Sequence, residues 1–173
     1  DFDLDIMEQK QTSYMVMTKA LNGLRDVYTE TEPDIVLVHG DTTTSFAAAL
    51  SAFYAKIAVG HVEAGLRTFN KYSPYPEEMN RKLTGALADL HFCPTAANAG
   101  NLRAEGIKDG IYITGNTVID AMKYTVRNDF ISAVDAINKL DFANKKIITV
   151  TCHRFENYGE PMENIFNALK RLG

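Results

Sequence analysis

Apolar runs of strand length alternate with helical patterns five times along this chain. That rhythm restricts the fold more than any other feature, because repeated βα units assemble around a parallel sheet. The segments Ile35–His39, Ile57–His61, Leu90–Cys93, Ile111–Thr114 and Ile147–Thr151 read as strands. Ser13–Thr29, Thr42–Tyr54, Pro76–Leu87, Ala96–Glu105 and Val118–Val126 read as helices, and Glu160–Gly173 as one more. Local punctuation agrees with these spans. Pro33 stops the first helix, Asp41 suits the cap of the second, Pro76 suits a first turn and Thr95 caps the helix that follows it. The expected class is therefore α/β with a mostly parallel sheet. After Thr114-Gly115-Asn116-Thr117 the rhythm breaks, and from Lys123 to Lys146 the chain is polar and irregular. A domain boundary is expected there, with 1–115 on one side and 116–173 on the other.

Composition removes several function classes. The chain carries 18 Lys plus Arg against 22 Asp plus Glu, a formal charge of −4, and no basic block. It has no electrostatic footprint for nucleic acid or an anionic membrane surface. Its most apolar stretch, Phe46–Val59, is broken by Ser51 and Lys56, short of the roughly 18 residues a membrane span needs. Cys93 and Cys152 each close an apolar run, as small buried thiols do in a reducing, cytoplasmic compartment. The opening Asp1-Phe2-Asp3-Leu4-Asp5 has no basic or apolar leader pattern, and the chain is expected to be an internal part of a longer protein.

In open parallel sheets ligands sit beyond the carboxyl ends of the strands, so chemistry is sought there. His39-Gly40-Asp41-Thr42-Thr43-Thr44-Ser45 follows the first strand, and Asp41 reads either as a helix cap or as a carboxylate poised at a strand tip. His61-Val62-Glu63-Ala64-Gly65-Leu66-Arg67 follows the second. Glu63 precedes no helix, which leaves a surface acid or a functional one. In Pro74-Tyr75-Pro76-Glu77-Glu78-Met79-Asn80-Arg81, Glu77 and Arg81 stand four apart and are expected to pair on one helix face. Such an arginine would keep the glutamate ionised and oriented as a base.

Thr151-Cys152-His153-Arg154-Phe155-Glu156-Asn157 follows the last expected strand. A histidine beside an arginine suits an anionic group such as phosphate, with a plain surface loop as the alternative. Neither G-x-G-x-x-G nor G-x-x-x-x-G-K-[ST] occurs, which removes the main support for a dinucleotide oxidoreductase or a kinase. His39 with Asp41 and His61 with Glu63 share an H-x-acid spacing. If both strand ends converged they could hold an ion, and the competing reading is two histidines satisfied by backbone.

The series H-G-D-T-T-T-S at His39, G-H-V-E-A-G-L-R-T at Gly60, P-E-E-M-N-R at Pro76, T-G-N-T at Thr114 and H-R-x-E-N at His153 closely resembles the non-hydrolysing bacterial UDP-N-acetylglucosamine 2-epimerases. The resemblance covers essentially the whole chain. It implies Rossmann-like parallel sheets in a two-domain, glycosyltransferase-B-like architecture. The chain would then hold the later part of the N-terminal domain and the start of the C-terminal one. It also implies interconversion of UDP-N-acetylglucosamine and UDP-N-acetylmannosamine through elimination of UDP, with no cofactor and no metal. Matched motif by motif, Asp41, Glu63 and Glu77 become the acid/base groups. Arg81 orients them, His153 acts with Arg154 at the UDP, and Glu156 and Asn157 join the substrate-binding set.

A second UDP-N-acetylglucosamine as activator would meet Lys10, Glu77 and Arg154. The resemblance further implies a homodimer that serves cell-wall or capsule polysaccharide synthesis. Lys10 stands where relatives can carry arginine, and Phe155 where the motif usually continues with another arginine. The G-T-R-P-E and S-G-G-x-x-E motifs of the family are absent from these residues, so much of the nucleotide grip is expected to lie elsewhere. A hydrolysing epimerase that releases N-acetylmannosamine and a silent nucleotide-sugar-binding module are the alternatives.

Overall fold

Four of the five expected strands form in the computed structural model of the chain, which describes residues 1–152 and 157–172. These are β1 (Ile35–His39), β2 (Ala58–Val62), β3 (Leu90–Cys93) and β4 (Ile111–Ile113), all parallel and side by side in chain order. A parallel neighbour can only be reached by a crossover. The crossovers here are helices α2 (Thr43–Tyr54), α3 (Glu77–Leu87) and α4 (Ala96–Ala104), while α1 (Ser13–Thr31) leads into β1. The result is an α/β, Rossmann-like layer.

Pleating splits the strand residues between two faces. Val38, Val59, His61, His91 and Cys93 share the face that the helices cover, and all are buried. One apolar cluster joins Val38 and Val59 to Tyr28 of α1 and to Ala49 and Ala52 of α2. A second joins Cys93 to Ala64, Ala99 and Leu102. On the opposite face the register aligns Leu37 with Gly60, and Phe92 with Tyr112. This face is open, with Leu37 62% and Tyr112 52% exposed and the Phe92 and Tyr112 rings stacked at 6.0 Å.

Capping follows local chemistry with two corrections, the first being that Pro76, expected in the first turn of α3, stands just before it at the cap position with no side-chain bond. Thr95 caps α4 as expected, its side chain accepting from Asn98 N. At α2 the cap is Thr42, which accepts from Ser45 N, and not Asp41. The hydroxyl one residue further on meets the free amide, and the Asp41 carboxylate is left for other partners.

The fifth expected strand, 147–151, does not form. A strand exists by pairing, and no neighbouring strand is available to this run among the described residues. Ile148 is accordingly exposed. Internal packing divides the chain into Asp1–Thr117 and Val118–Gly173. The second unit contains most of α5 (Thr117–Thr125), with α6 (Asp135–Asn138) and α7 (Glu160–Leu172), and none of its described residues is buried.

Candidate active site

The carboxyl ends of β1 and β2 are adjacent in register, with His39 beside Val62, so the turns leaving them are neighbours. Gly40 enters its turn with φ +73°, a left-handed conformation that glycine adopts without cost. Its N–H donates to Val62 O at 3.0 Å, which ties the two strand ends together. Its carbonyl faces His61 Nε2 at 2.8 Å. Against a carbonyl that nitrogen must carry the proton, so Nδ1 is the bare one, and it is buried without a partner among the described residues. Burial lowers the His61 pKa to about 4, and the ring is a neutral strut under the Gly40–Asp41 turn.

Asp41 itself is held from α3. Arg81 Nη1 donates to Asp41 Oδ2 at 2.6 Å, and Asn80 Nδ2 donates to Asp41 O at 2.9 Å. The expected Glu77–Arg81 pair is absent. Arg81 instead turns to Glu78, with Nη2 at 2.9 Å from Glu78 Oε2. Both spacings, three and four, place an acid on the arginine's side of a helix, and the acid that faces inward takes the contact. Glu78 is fully buried and also accepts from Thr68 N at 3.1 Å and Phe69 N at 3.0 Å. Desolvation pushes its carboxyl up, but the Arg81 bonds and the two amides together outweigh it and leave its pKa lowered. Glu77 keeps its side chain free of Arg81, with Oε2 buried and unpartnered among the described residues.

Glu63 leaves β2 with φ +66°, a left-handed conformation that costs a non-glycine residue about 1–2 kcal/mol. Its Oε2 lies 3.2 Å from His39 Nε2. The loop beyond it is fastened at several points. Ala64 N donates to Phe92 O at 3.0 Å, Asn101 Nδ2 to Gly65 O at 2.9 Å, and Arg67 grips Glu105 through two bonds of 2.8 and 2.6 Å. Gly65 has φ +84° and sits so close to α4 that a Cβ would come within 2.3 Å of Asn98 O.

The H-x-acid pairs do not converge. His39 aligns with Val62 and His61 with Val38, which sends the two imidazoles to opposite faces of the sheet. Among the described residues no group of three or more His, Cys, Asp and Glu side chains is placed to hold a metal ion. Of the other expected site residues, Lys10 stands exposed in a turn before α1, with φ +58°. Asn157 is half-buried in the second unit, while His153, Arg154 and Glu156 fall outside the described residues. Sequence reasoning missed Glu78, Asn80 and His61 as supports of Asp41. The Glu78–Arg81 spacing was the one signal in the sequence that could have found the first.

The sequence profile of the UDP-N-acetylglucosamine 2-epimerase family matches residues 1–173. The chain belongs to that enzyme family. It is 55% identical over 174 residues to the UDP-N-acetylglucosamine 2-epimerase of Bacillus subtilis, covering 99% of this chain and 44% of the relative. Among solved structures, the Staphylococcus aureus MnaA–UDP complex is 51% identical with a TM-score of 0.84, covering 94% of this chain and 44% of that one. The Neisseria meningitidis UDP-N-acetylglucosamine 2-epimerase bound to UDP-N-acetylglucosamine is 54% identical with a TM-score of 0.69, covering 72% and 34%. The chain thus spans less than half the length of these relatives.

Proposed function

We propose that the protein to which this chain belongs interconverts UDP-N-acetylglucosamine and UDP-N-acetylmannosamine by elimination and re-addition. A base removes the C2 proton, the electron pair forms the C1–C2 double bond, and the C1–O bond to UDP breaks. This gives 2-acetamidoglucal and UDP. Return of UDP to C1 with protonation at C2 from the opposite face gives the epimer. The chemistry needs two proton-transfer groups on opposite sides of the sugar and a stabilised leaving group.

One observation carries the reading. Asp41 and Glu63 follow two adjacent strand ends, Glu77 opens the helix whose Arg81 holds Asp41, and each is differently prepared: Asp41 paired with Arg81, Glu63 beside His39, and Glu77 with a buried oxygen unpartnered among the described residues. Carboxylates in unlike environments suit unlike proton-transfer roles. UDP and UDP-N-acetylglucosamine in the structures of relatives support a UDP-sugar as the ligand. His153, Arg154, Glu156 and Asn157 are assigned to the departing UDP, and Lys10, Glu77 and Arg154 to an activating second UDP-sugar in a homodimer.

Proton NMR of UDP-N-acetylglucosamine incubated with the intact protein tests this. The manno nucleotide sugar should appear, with deuterium at C2 when the reaction runs in heavy water. Free N-acetylmannosamine would mark a hydrolysing epimerase, and binding without turnover a silent module.

A further inference from the structure

Glu78 has no role in the proposed chemistry, yet it is the best-bonded carboxylate at the site. It is fully buried and accepts from two backbone amides and from the guanidinium of Arg81. A buried carboxylate is retained only when its lone pairs are filled, and here the fillers lie in two different segments. On one side Arg81 reaches past Glu78 to Asp41, at 2.6 Å. On the other, Thr68 and Phe69 belong to the loop that begins at Glu63. The side-chain bonds of that turn stay local, with Thr68 Oγ1 donating to Ser73 O at 2.5 Å and Tyr72 N to Asn70 Oδ1 at 3.1 Å. Phe69 is in a left-handed conformation with φ +61°, and its side chain is 72% exposed, so ring burial does not fix it. Its amide, with that of Thr68, ends on Glu78 and carries the turn to α3.

We propose that Glu78 is a positioning residue for the reaction proposed above. Its carboxylate locks Arg81 against Asp41 and in the same stroke ties the Glu63 loop to α3, so the strand-tip carboxylates are held as one unit. It touches no reacting atom. An amide cannot replace it, because Gln offers one acceptor and one donor where four donors converge, Thr68 N, Phe69 N and both Nη2 and Nε of Arg81. With its NH2 at the Oε2 position the amide would face the guanidinium and Thr68 N–H together, and with its NH2 at the Oε1 position it would face Phe69 N–H.

The test uses the intact enzyme and the variants Glu78→Gln, Asp41→Asn and the pair combined. With UDP-N-acetylglucosamine, Glu78→Gln should lower kcat by about 10²-fold, the scale of a misplacement near 1 Å, and leave KM within about threefold. In the Asp41→Asn background the same change should cost less than about tenfold, since the Arg81–Asp41 arm of its action is already lost and only the tie to the Glu63 loop remains. An equal loss in both backgrounds would mark a general structural role and overturn the proposal, as would Glu78→Gln turning over within threefold of the parent. If Glu78→Gln does not fold, Glu78→Asp keeps the charge but lacks the reach to serve both sides. It should show the kcat loss, and parental kcat in that variant would overturn the proposal. A parent that binds but does not epimerise would refute the functional reading itself, which separates the two failures.

Discussion

Among the described residues, the two units differ in whether they enclose any apolar residue at all. In Asp1–Thr117, Val38, Val59, Cys93 and Leu102 are enclosed between sheet and helices. In 118–173 the strand-like run keeps Ile148 and Val150 exposed, and the half-covered residues of α7, Met162, Ile165 and Leu169, follow a helical stripe with nothing fully enclosed. Both segments have the right local patterns. Periodicity says which face of an element seeks cover, while enclosure depends on a second element that the pattern does not supply.

The contrast is sharpened most by the chemistry. In the intact protein, replacing Asp41, Glu63 or Glu77 in the first unit by its amide should cut turnover by about 10²–10⁴-fold with UDP affinity near normal. Asn157→Ala in the second unit should act on UDP binding more than on kcat. Steady-state kinetics with UDP titration would check this, and retention of turnover within about tenfold by all three carboxylate variants would move the acid/base work elsewhere.

Packing comes next. In the 173-residue chain, Leu102→Ala should destabilise by about 2–5 kcal/mol because it empties a closed core position, whereas Ile148→Ala, at an exposed position of that chain, should cost about 0.5 kcal/mol or less. Urea denaturation of the 173-residue chain followed by circular dichroism would separate them, and equal losses would break the contrast.

A smaller effect is tied to pH. His61 titrates at about 4 in the folded chain against an ordinary value of 6.5, and burial lowers His91 in the same direction. The unfolded chain takes up these protons first as pH falls. Stability is therefore fully present above about pH 6.5 and is lost on descent toward pH 4. His61 alone contributes about 3 kcal/mol, at 1.36 kcal/mol per pH unit. Urea midpoints should fall between pH 7.5 and 4.5, and His61→Gln should flatten the slope. An unchanged slope would remove His61 as its source.

How far the sequence reveals these features depends on how local they are. Strands β1 to β4 and the Thr95 cap could be read because alternation and capping involve neighbours a few residues apart. The run 147–151 carries the same apolar signal as a strand and forms none, since pairing is a property of two segments. Glu77 and Glu78 show the limit on a finer scale. Adjacent helix positions point about 100° apart, and which one faces inward is set by how α3 seats on the sheet. His39 and His61 show it for strands, because their opposite faces follow from the register between β1 and β2.

The sheet is laid down in chain order, with each strand joining the edge left by the one before. Every pairing therefore closes a short stretch of chain, and none waits for a distant partner. During synthesis β1 and α2 can offer an edge to β2 as soon as it emerges, then β2 to β3 and β3 to β4. The order in which the ribosome delivers these four strands is the order in which this part of the layer can grow, and the strand ends carrying Asp41 and Glu63 are set side by side before β3 and β4 arrive.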